Sequence, residues 1–193
     1  MKKILFYSNN NSKIKEVKRL FNKYKITILS PQDFNINDEP NENGKSFAEN
    51  AKIKSDYGFK KFKIPCISDD SGICIEALNW KPGINSKLFL LNFKNKRQCF
   101  EKIIEIAQKK STRKAYFKTS ISFTFENDYN VIFEGKSQGL ISTKPMGKKG
   151  FGYDPIFMPN GYNKTLGQLS ITTKNKISHR SIAINKLIDF LIN

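Results

Sequence analysis

Ile64-Pro65-Cys66-Ile67-Ser68-Asp69-Asp70-Ser71-Gly72 is a short apolar run that ends abruptly in carboxylates, a hydroxyl and a glycine. It reads as a buried strand whose C-terminal end opens into a site. Loops at strand ends in α/β sheets converge over a crevice, which is where ligands bind. Successive strand side chains point to opposite faces. If strand geometry persists through Asp69 and Asp70, the two therefore do different jobs, one facing a ligand and the other holding the loop. A Ser-Asp-Asp-Ser-Gly turn is the competing reading, because each of those residues favours turns on its own. The other polar clusters of the chain bear on the choice.

Upstream, Lys2 to Tyr7 reads as a first strand, and Ser8, Asn9, Asn10, Asn11, Ser12 and Lys13 as a polar loop. Ile14, Val17, Leu20 and Phe21 then recur at helical spacing. A helix N-terminus with Asn and Ser donors and a lysine suits a phosphate, although an ordinary N-cap has the same composition. Ile26 to Leu29 reads as a second strand. The following loop carries Asp33, Asp38, Glu39 and Glu42, an acidic cluster in a basic chain that can supply an oxygen ligand to Mg²⁺ or simply be solvated. Ser46, with Glu49 at capping-box distance, opens a helix to about Phe62 whose core residues are Phe47, Ala51, Tyr57, Phe59 and Phe62. Nothing local separates Lys52 from Lys54 on it.

Downstream, Ile73 to Leu78 reads as extended, and Trp80-Lys81-Pro82-Gly83 as a turn. Gln98 to Gln108 reads as a helix. Ala115 to Phe125 alternates as a half-buried strand, with a hairpin loop over Glu126 to Asn130 and a return strand from Val131. Ile182 to Leu191 is the last helix. The hairpin breaks the helix–strand alternation, so a mixed sheet with a second, more β-rich lobe is expected. Gly147 to Pro155 is glycine-dense around Phe151 and Tyr153. Its glycines let backbone approach a ligand and an exposed Phe can stack on a base, or both rings can lie buried beneath a structural loop. Lys174 precedes Ser178-His179-Arg180, a histidine and an arginine at a helix N-terminus, which suits phosphate contact.

With 193 residues and 38% hydrophobic content the chain can bury a core as one domain or two closely packed lobes. The three cysteines, Cys66, Cys74 and Cys99, lack metal-type spacing and read as reduced, buried thiols of a cytoplasmic protein. The apolar part of the N-terminus is too short for a signal peptide, and no apolar run reaches membrane-spanning length, so no membrane partner is expected. The formal net charge of +17 invites a nucleic-acid partner. Its lysines are spread along the whole chain, however, so solvated lysines are the simpler reading and no dedicated nucleic-acid partner is expected.

Taken together, the clusters resemble the inosine triphosphate pyrophosphatase family, house-cleaning enzymes acting on non-standard purine nucleotides. The matching residues are Ser8-x-Asn10-x-x-Lys13, Glu42-x-Gly44-x-Ser46-Phe47-x-Glu49-Asn50-Ala51-x-x-Lys54, Ser68 to Gly72 with Pro82-Gly83-Ile84, Gly150 to Pro155, and Ser178-His179-Arg180. The resemblance implies a single α/β domain over residues 1–193, with an elongated two-lobed mixed β-sheet flanked by helices, an active-site cleft between the lobes, and usually a homodimer. It implies Mg²⁺-dependent hydrolysis of ITP, dITP and XTP to the monophosphate and pyrophosphate. It implies that Ser8, Asn9, Asn10, Asn11, Ser12, Lys13, Lys54, Lys174, His179 and Arg180 surround the triphosphate and that Ser71 lies beside the nucleotide. Phe151, Gly152, Tyr153 and Asp154 would take the base. Asp70 would be metal ligand and general base, with Glu42 the second metal carboxylate and Glu39 its possible substitute.

The chain departs from the family after Pro82-Gly83-Ile84. Asn85-Ser86-Lys87-Leu88-Phe89 stands where Tyr-Ser-Ala-Arg-Tyr is usual, which bears on the dimer contact or cleft wall. Two other functions compete: a related pyrophosphatase preferring pyrimidine nucleotides, and a basic nucleic-acid-binding module without catalysis.

Overall fold

The computed structural model describes residues 2–127 and 129–193, with Lys2 described by its backbone alone. Among the described residues six strands form one sheet in the order β2-β1-β3-β4-β5-β6. They are β1 (Lys2–Phe6), β2 (Ile26–Leu29), β3 (Cys66–Ile75), β4 (Lys114–Glu126), β5 (Tyr129–Ile141) and β6 (Phe157–Pro159). β1 pairs parallel with β2 and β3, and β5 pairs antiparallel with β6, so the sheet is mixed as expected. The helices are α1 (Asn11–Phe21), α2 (Phe47–Phe62), α3 (Ser86–Leu91), α4 (Lys96–Lys109), α5 (Ile171–Ile177) and α6 (His179–Ile192). Asp128, in the expected hairpin loop, lies outside the described residues. Among the described residues no helix is long and apolar enough to cross a membrane.

The chain divides into two units. One comprises Met1–Asp70, Thr119–Gly135 and Arg180–Asn193, the other Ser71–Lys118 and Lys136–His179. In the first, Ile14, Val17 and Phe21 of α1 share a face and pack with Ile4, Phe6, Ile67, Ile121 and Phe123 of the strands and Ala183, Ile184, Leu187 and Ile188 of α6. Tyr57, Phe59 and Phe62 of α2 pack, partly buried, against Leu5, Tyr7 and Cys66. β4 alternates as a half-buried strand over 115–118, but from 119 to 124 both of its faces are buried. Its polar positions Ser120, Ser122 and Thr124 are buried as fully as Ile121 and Phe123. Ser55 of α2 donates to Ser122 Oγ (2.7 Å), lies 2.9 Å from Thr124 Oγ1, and Thr124 donates to Asp56 (2.7 Å). Hydroxyls can line a buried face when they satisfy one another.

In the second unit, Ile73 and Ile75 of β3 and Phe117 of β4 form a core with Cys99, Phe100, Ile103 and Ile104 of α4, together with Tyr153, Ile156 and Phe157. Gly72 is required by close packing, since a Cβ there would sit 2.1 Å from the Gly83 carbonyl oxygen. Ser86, in the departing stretch, accepts the Ile73 N–H (2.9 Å) and donates to Gly83 O (2.6 Å), so that stretch is built into the fold as α3.

Three further boundaries differ from the sequence reading. β3 runs unbroken through Asp69 and Asp70, so the Ser-Asp-Asp-Ser-Gly segment is neither a turn nor a strand end. After Ile75 the chain is a 3₁₀ turn over Glu76–Leu78 rather than extended. α5, capped by the Ser170 side chain, was not read from the sequence, whereas the final helix opens at His179 as the Ser178-His179-Arg180 cluster indicates. All three cysteines are free and buried. Burial pushes each thiol up, Cys99 to about 11, so none is a ready thiolate.

Candidate active site

Because β3 stays extended, Asp69 and Asp70 face opposite ways and acquire different partners. Asp69 is fully buried among cations. Lys13 Nζ lies 3.1 Å from Oδ1, and Arg180 donates to Oδ2 through Nε (3.1 Å) and Nη2 (2.9 Å). Thr119 Oγ1 is 3.4 Å from the same oxygen. Arg180, 1% exposed, also donates through Nη1 to Glu16 Oε2 (2.7 Å). Burial alone would raise the Asp69 carboxyl, but Lys13, Arg180 and Lys54 outweigh it and hold it well below its ordinary 3.8. Burial pulls the Lys13 ammonium down, with Asp69 opposing. Burial also opposes the Arg180 charge, which its two carboxylates nonetheless stabilise.

Asp70 sits in a different environment. Asn50 of α2 donates to its Oδ2 (3.1 Å), and Thr119 donates to its main-chain oxygen (3.1 Å). Burial raises its carboxyl, against Lys54, Lys13 and the Asn50 bond, and the nearby charge of Glu42 adds to the rise. Glu42 accepts from Lys54 Nζ (2.9 Å). α2 thus presents Asn50 and Lys54, one turn apart, toward Asp70 and Glu42. It also separates the two lysines that the sequence leaves equal: Lys54 is buried, whereas Lys52 pairs with Asp56 at the surface.

The polar loop after β1 bonds partly within itself and partly to the 32–38 segment. Asn10 caps α1 by accepting the Ser12 and Lys13 N–H groups (3.0 and 3.2 Å), and Ser8 Oγ accepts the Asn10 N–H (3.2 Å). Asn9 donates to Asn37 O (2.6 Å), and Asn11 Oδ1 accepts from Gln32 (2.8 Å).

In the second unit Asp154 is a hub. Its Oδ2 accepts the Phe151 N–H (2.8 Å) and Lys174 Nζ (2.7 Å), and Lys174 Nζ also lies 4.7 Å from the Phe151 ring centroid. Gly150, at φ +76, leaves room for that carboxylate, since a Cβ there would sit 2.0 Å from Oδ2. Gly152 also adopts positive φ (+59). Tyr153 is a core residue whose hydroxyl donates to Ser86 O (2.7 Å). His179 is buried and stacked on Phe117, rings 4.7 Å apart and 10° from parallel. Ser71 is half-buried, directly after Asp70.

Glu16 and Thr119 were not singled out from the sequence, and Asn50 was matched without a role. Glu16 follows Lys13 by three residues on α1, so the spacing put both on one helix face. Its partner Arg180 is distant in the chain, which left no local signal.

Fold and site together define an α/β protein in which a buried carboxylate pair is set among lysines, an arginine and a further glutamate. That charge pattern suits a polyphosphate and its counter-ion. The chain belongs to the Ham1 family, whose profile matches residues 4–190. A dITP/XTP pyrophosphatase from Christiangramia forsetii is 38% identical over 189 residues, covering 98% of each chain. One from Borrelia duttonii is 42% identical over 200 residues, covering 100% of this chain and 98% of its own. Among solved structures, a HAM1 protein from Coxiella burnetii superposes with a TM-score of 0.86 at 34% identity, over 99% of this chain and 98% of that one. The Staphylococcus aureus Ham1 protein gives 0.84 at 35% identity over 98% of both.

Proposed function

We propose that this chain hydrolyses non-standard purine nucleoside triphosphates, dITP, XTP and ITP, to the monophosphate and pyrophosphate, clearing them from the nucleotide pool. The observation that carries the reading is the near full-length match to relatives named dITP/XTP pyrophosphatases. A pyrimidine-specific enzyme or a non-catalytic nucleic-acid module has no such support.

Asp70 is assigned as the general base. Burial raises its carboxyl, bringing it nearer the working range of a base, and Asn50 fixes one of its oxygens. It would take the proton of a water as that oxygen bonds to phosphorus and the bond to the departing pyrophosphate breaks. Lys13 and Lys54 would stabilise the charge that accumulates on the phosphates. Asp69 is the counter-charge that keeps Lys13 in place. Ser8, Asn9, Asn10, Asn11 and Ser12 shape the loop that leads into α1. Phe151 is assigned to the base, its backbone set by Asp154, while Lys174 and His179 are assigned to the nucleotide.

The donor set fits Mg²⁺. The charge of Glu42 adds to the rise of the Asp70 carboxyl, a repulsion that a cation would relieve. The described residues hold no group of three or more His, Cys, Asp or Glu side chains suited to a metal. Two carboxylates plus phosphate oxygens and water are a usual Mg²⁺ set. Bound there, Mg²⁺ would neutralise phosphate charge and acidify the attacking water. A homodimer in the cytoplasm belongs to the same reading. Leu88 and Leu91 of α3 supply exposed apolar surface for pairing, which sedimentation would check.

Incubation with XTP and Mg²⁺, followed by separation of products, should give equimolar monophosphate and pyrophosphate. Diphosphate with orthophosphate, or no reaction, would overturn the proposal.

A further inference from the structure

Asp38 lies in the acidic loop, ahead of Glu42, and the proposed chemistry makes no use of it. Its polar atoms are nevertheless heavily bonded. The hydroxyl of Tyr7, directly after β1, is 2.9 Å from Oδ1 and 3.0 Å from the main-chain oxygen. The Tyr57 hydroxyl (2.5 Å) and Lys61 Nζ (2.6 Å), both on α2, donate to Oδ2. Asn9 Nδ2 donates to Asn37 O (2.6 Å) and lies 3.4 Å from Asp38 O. Residues 37 and 38 are thus tied to Tyr7, which directly follows β1, to the loop leading to Lys13, and to the helix that carries Asn50 and Lys54.

The far end of the loop is pinned as well. Asn50 Oδ1 accepts the Gly44 N–H (2.9 Å), and Glu49 accepts the Lys45 N–H (2.7 Å). Glu42 lies between the two anchors and meets Lys54. An isolated exposed ion pair contributes little, but this carboxylate gathers two tyrosine hydroxyls and an ammonium, and Tyr7 is 1% exposed. Bonds to Lys61 and Tyr57 hold the carboxyl down at about 2, so the clamp stays charged at any neutral pH.

We infer that Asp38 is a positioning residue whose bonds to Tyr7, Tyr57 and Lys61 fix the 37–44 loop so that Glu42 is presented beside Lys54. The inference rests on the proposed function for its consequence, because Glu42 is assigned there as a metal carboxylate.

The test compares Asp38→Ala and Asp38→Glu with the wild type in three measurements. These are amide hydrogen exchange along the whole chain, Mn²⁺ binding by calorimetry without nucleotide, and the Mg²⁺ concentration that half-saturates pyrophosphate release. Asp38→Ala should speed exchange within 36–45 by roughly tenfold or more, with the core strands unchanged. It should weaken Mn²⁺ binding and raise the half-saturating Mg²⁺ by roughly tenfold, with kcat at saturating metal changed less than about threefold. Asp38→Glu should recover part of both effects. Unchanged exchange in 36–45, or acceleration spread evenly over the chain, would overturn the clamp. Faster loop exchange with unchanged metal dependence would overturn its link to Glu42. Absence of pyrophosphate release by the wild type would instead remove the functional reading, while the exchange comparison would still decide the clamp.

Discussion

Asp70→Asn is expected to lower kcat for pyrophosphate release from XTP by about a hundred- to ten-thousandfold, the range for removing a general base. Asn keeps the shape of the side chain and can still meet Asn50, so the fold should be retained and KM should move little. The measurement is steady-state kinetics at saturating Mg²⁺, with thermal unfolding alongside. Asp69→Asn distinguishes the two neighbours. Asp69 touches Lys13, Arg180 and Thr119, so its loss should reduce stability and raise KM by releasing Lys13, rather than remove proton transfer. Equal kinetic loss in both variants with unchanged KM would argue against the division of labour that the strand alternation imposes.

Arg180→Met is expected to destabilise the protein by about 3–5 kcal/mol, because it leaves the buried carboxylates of Asp69 and Glu16 without their shared cation. For a chain of this size that corresponds to a fall in Tm of roughly 10 °C. Adding Glu16→Gln should restore a good part of the loss, since the neutral amide no longer needs the cation and Asp69 still has Lys13. The resemblance implied a place around the triphosphate for Arg180. It is buried between two carboxylates, and we propose that it holds Asp69 and, through Asp69, the ammonium of Lys13. A variant that unfolds like the wild type and loses only nucleotide affinity would return Arg180 to direct phosphate contact.

The alternation of strands and helices was readable where the physics is local. Ile14, Val17 and Phe21 mark one helix face, and Ser46 marks a helix start that its side chain caps, accepting the Glu49 N–H. Asp69 and Asp70 were legible as a pair but not as mid-strand residues. Turn formers stay extended there because Lys13, Arg180 and Asn50, all distant in sequence, meet their charges. Thr119, Glu16 and the hydroxyls of β4 were hidden for the same reason, since their partners come from other elements. Tyr153 illustrates the limit of a motif. It stands within the Phe-Gly-Tyr-Asp loop quoted for the base, yet packs with Phe100 in the core and donates to Ser86. Phe151, of the same loop, and Lys174, from α5, meet through Asp154.

The most direct test of the central claim is pyrophosphate release from dITP, XTP, ITP, GTP, ATP and dTTP, each with and without Mg²⁺. Buried polar groups left unpaired by an amino-substituted purine can give large selectivity. The expected result is Mg²⁺-dependent release with kcat/KM for dITP, XTP and ITP exceeding that for GTP and ATP by more than about tenfold. Comparable turnover of GTP and ATP, preference for dTTP, or no release from any of the six would contradict it.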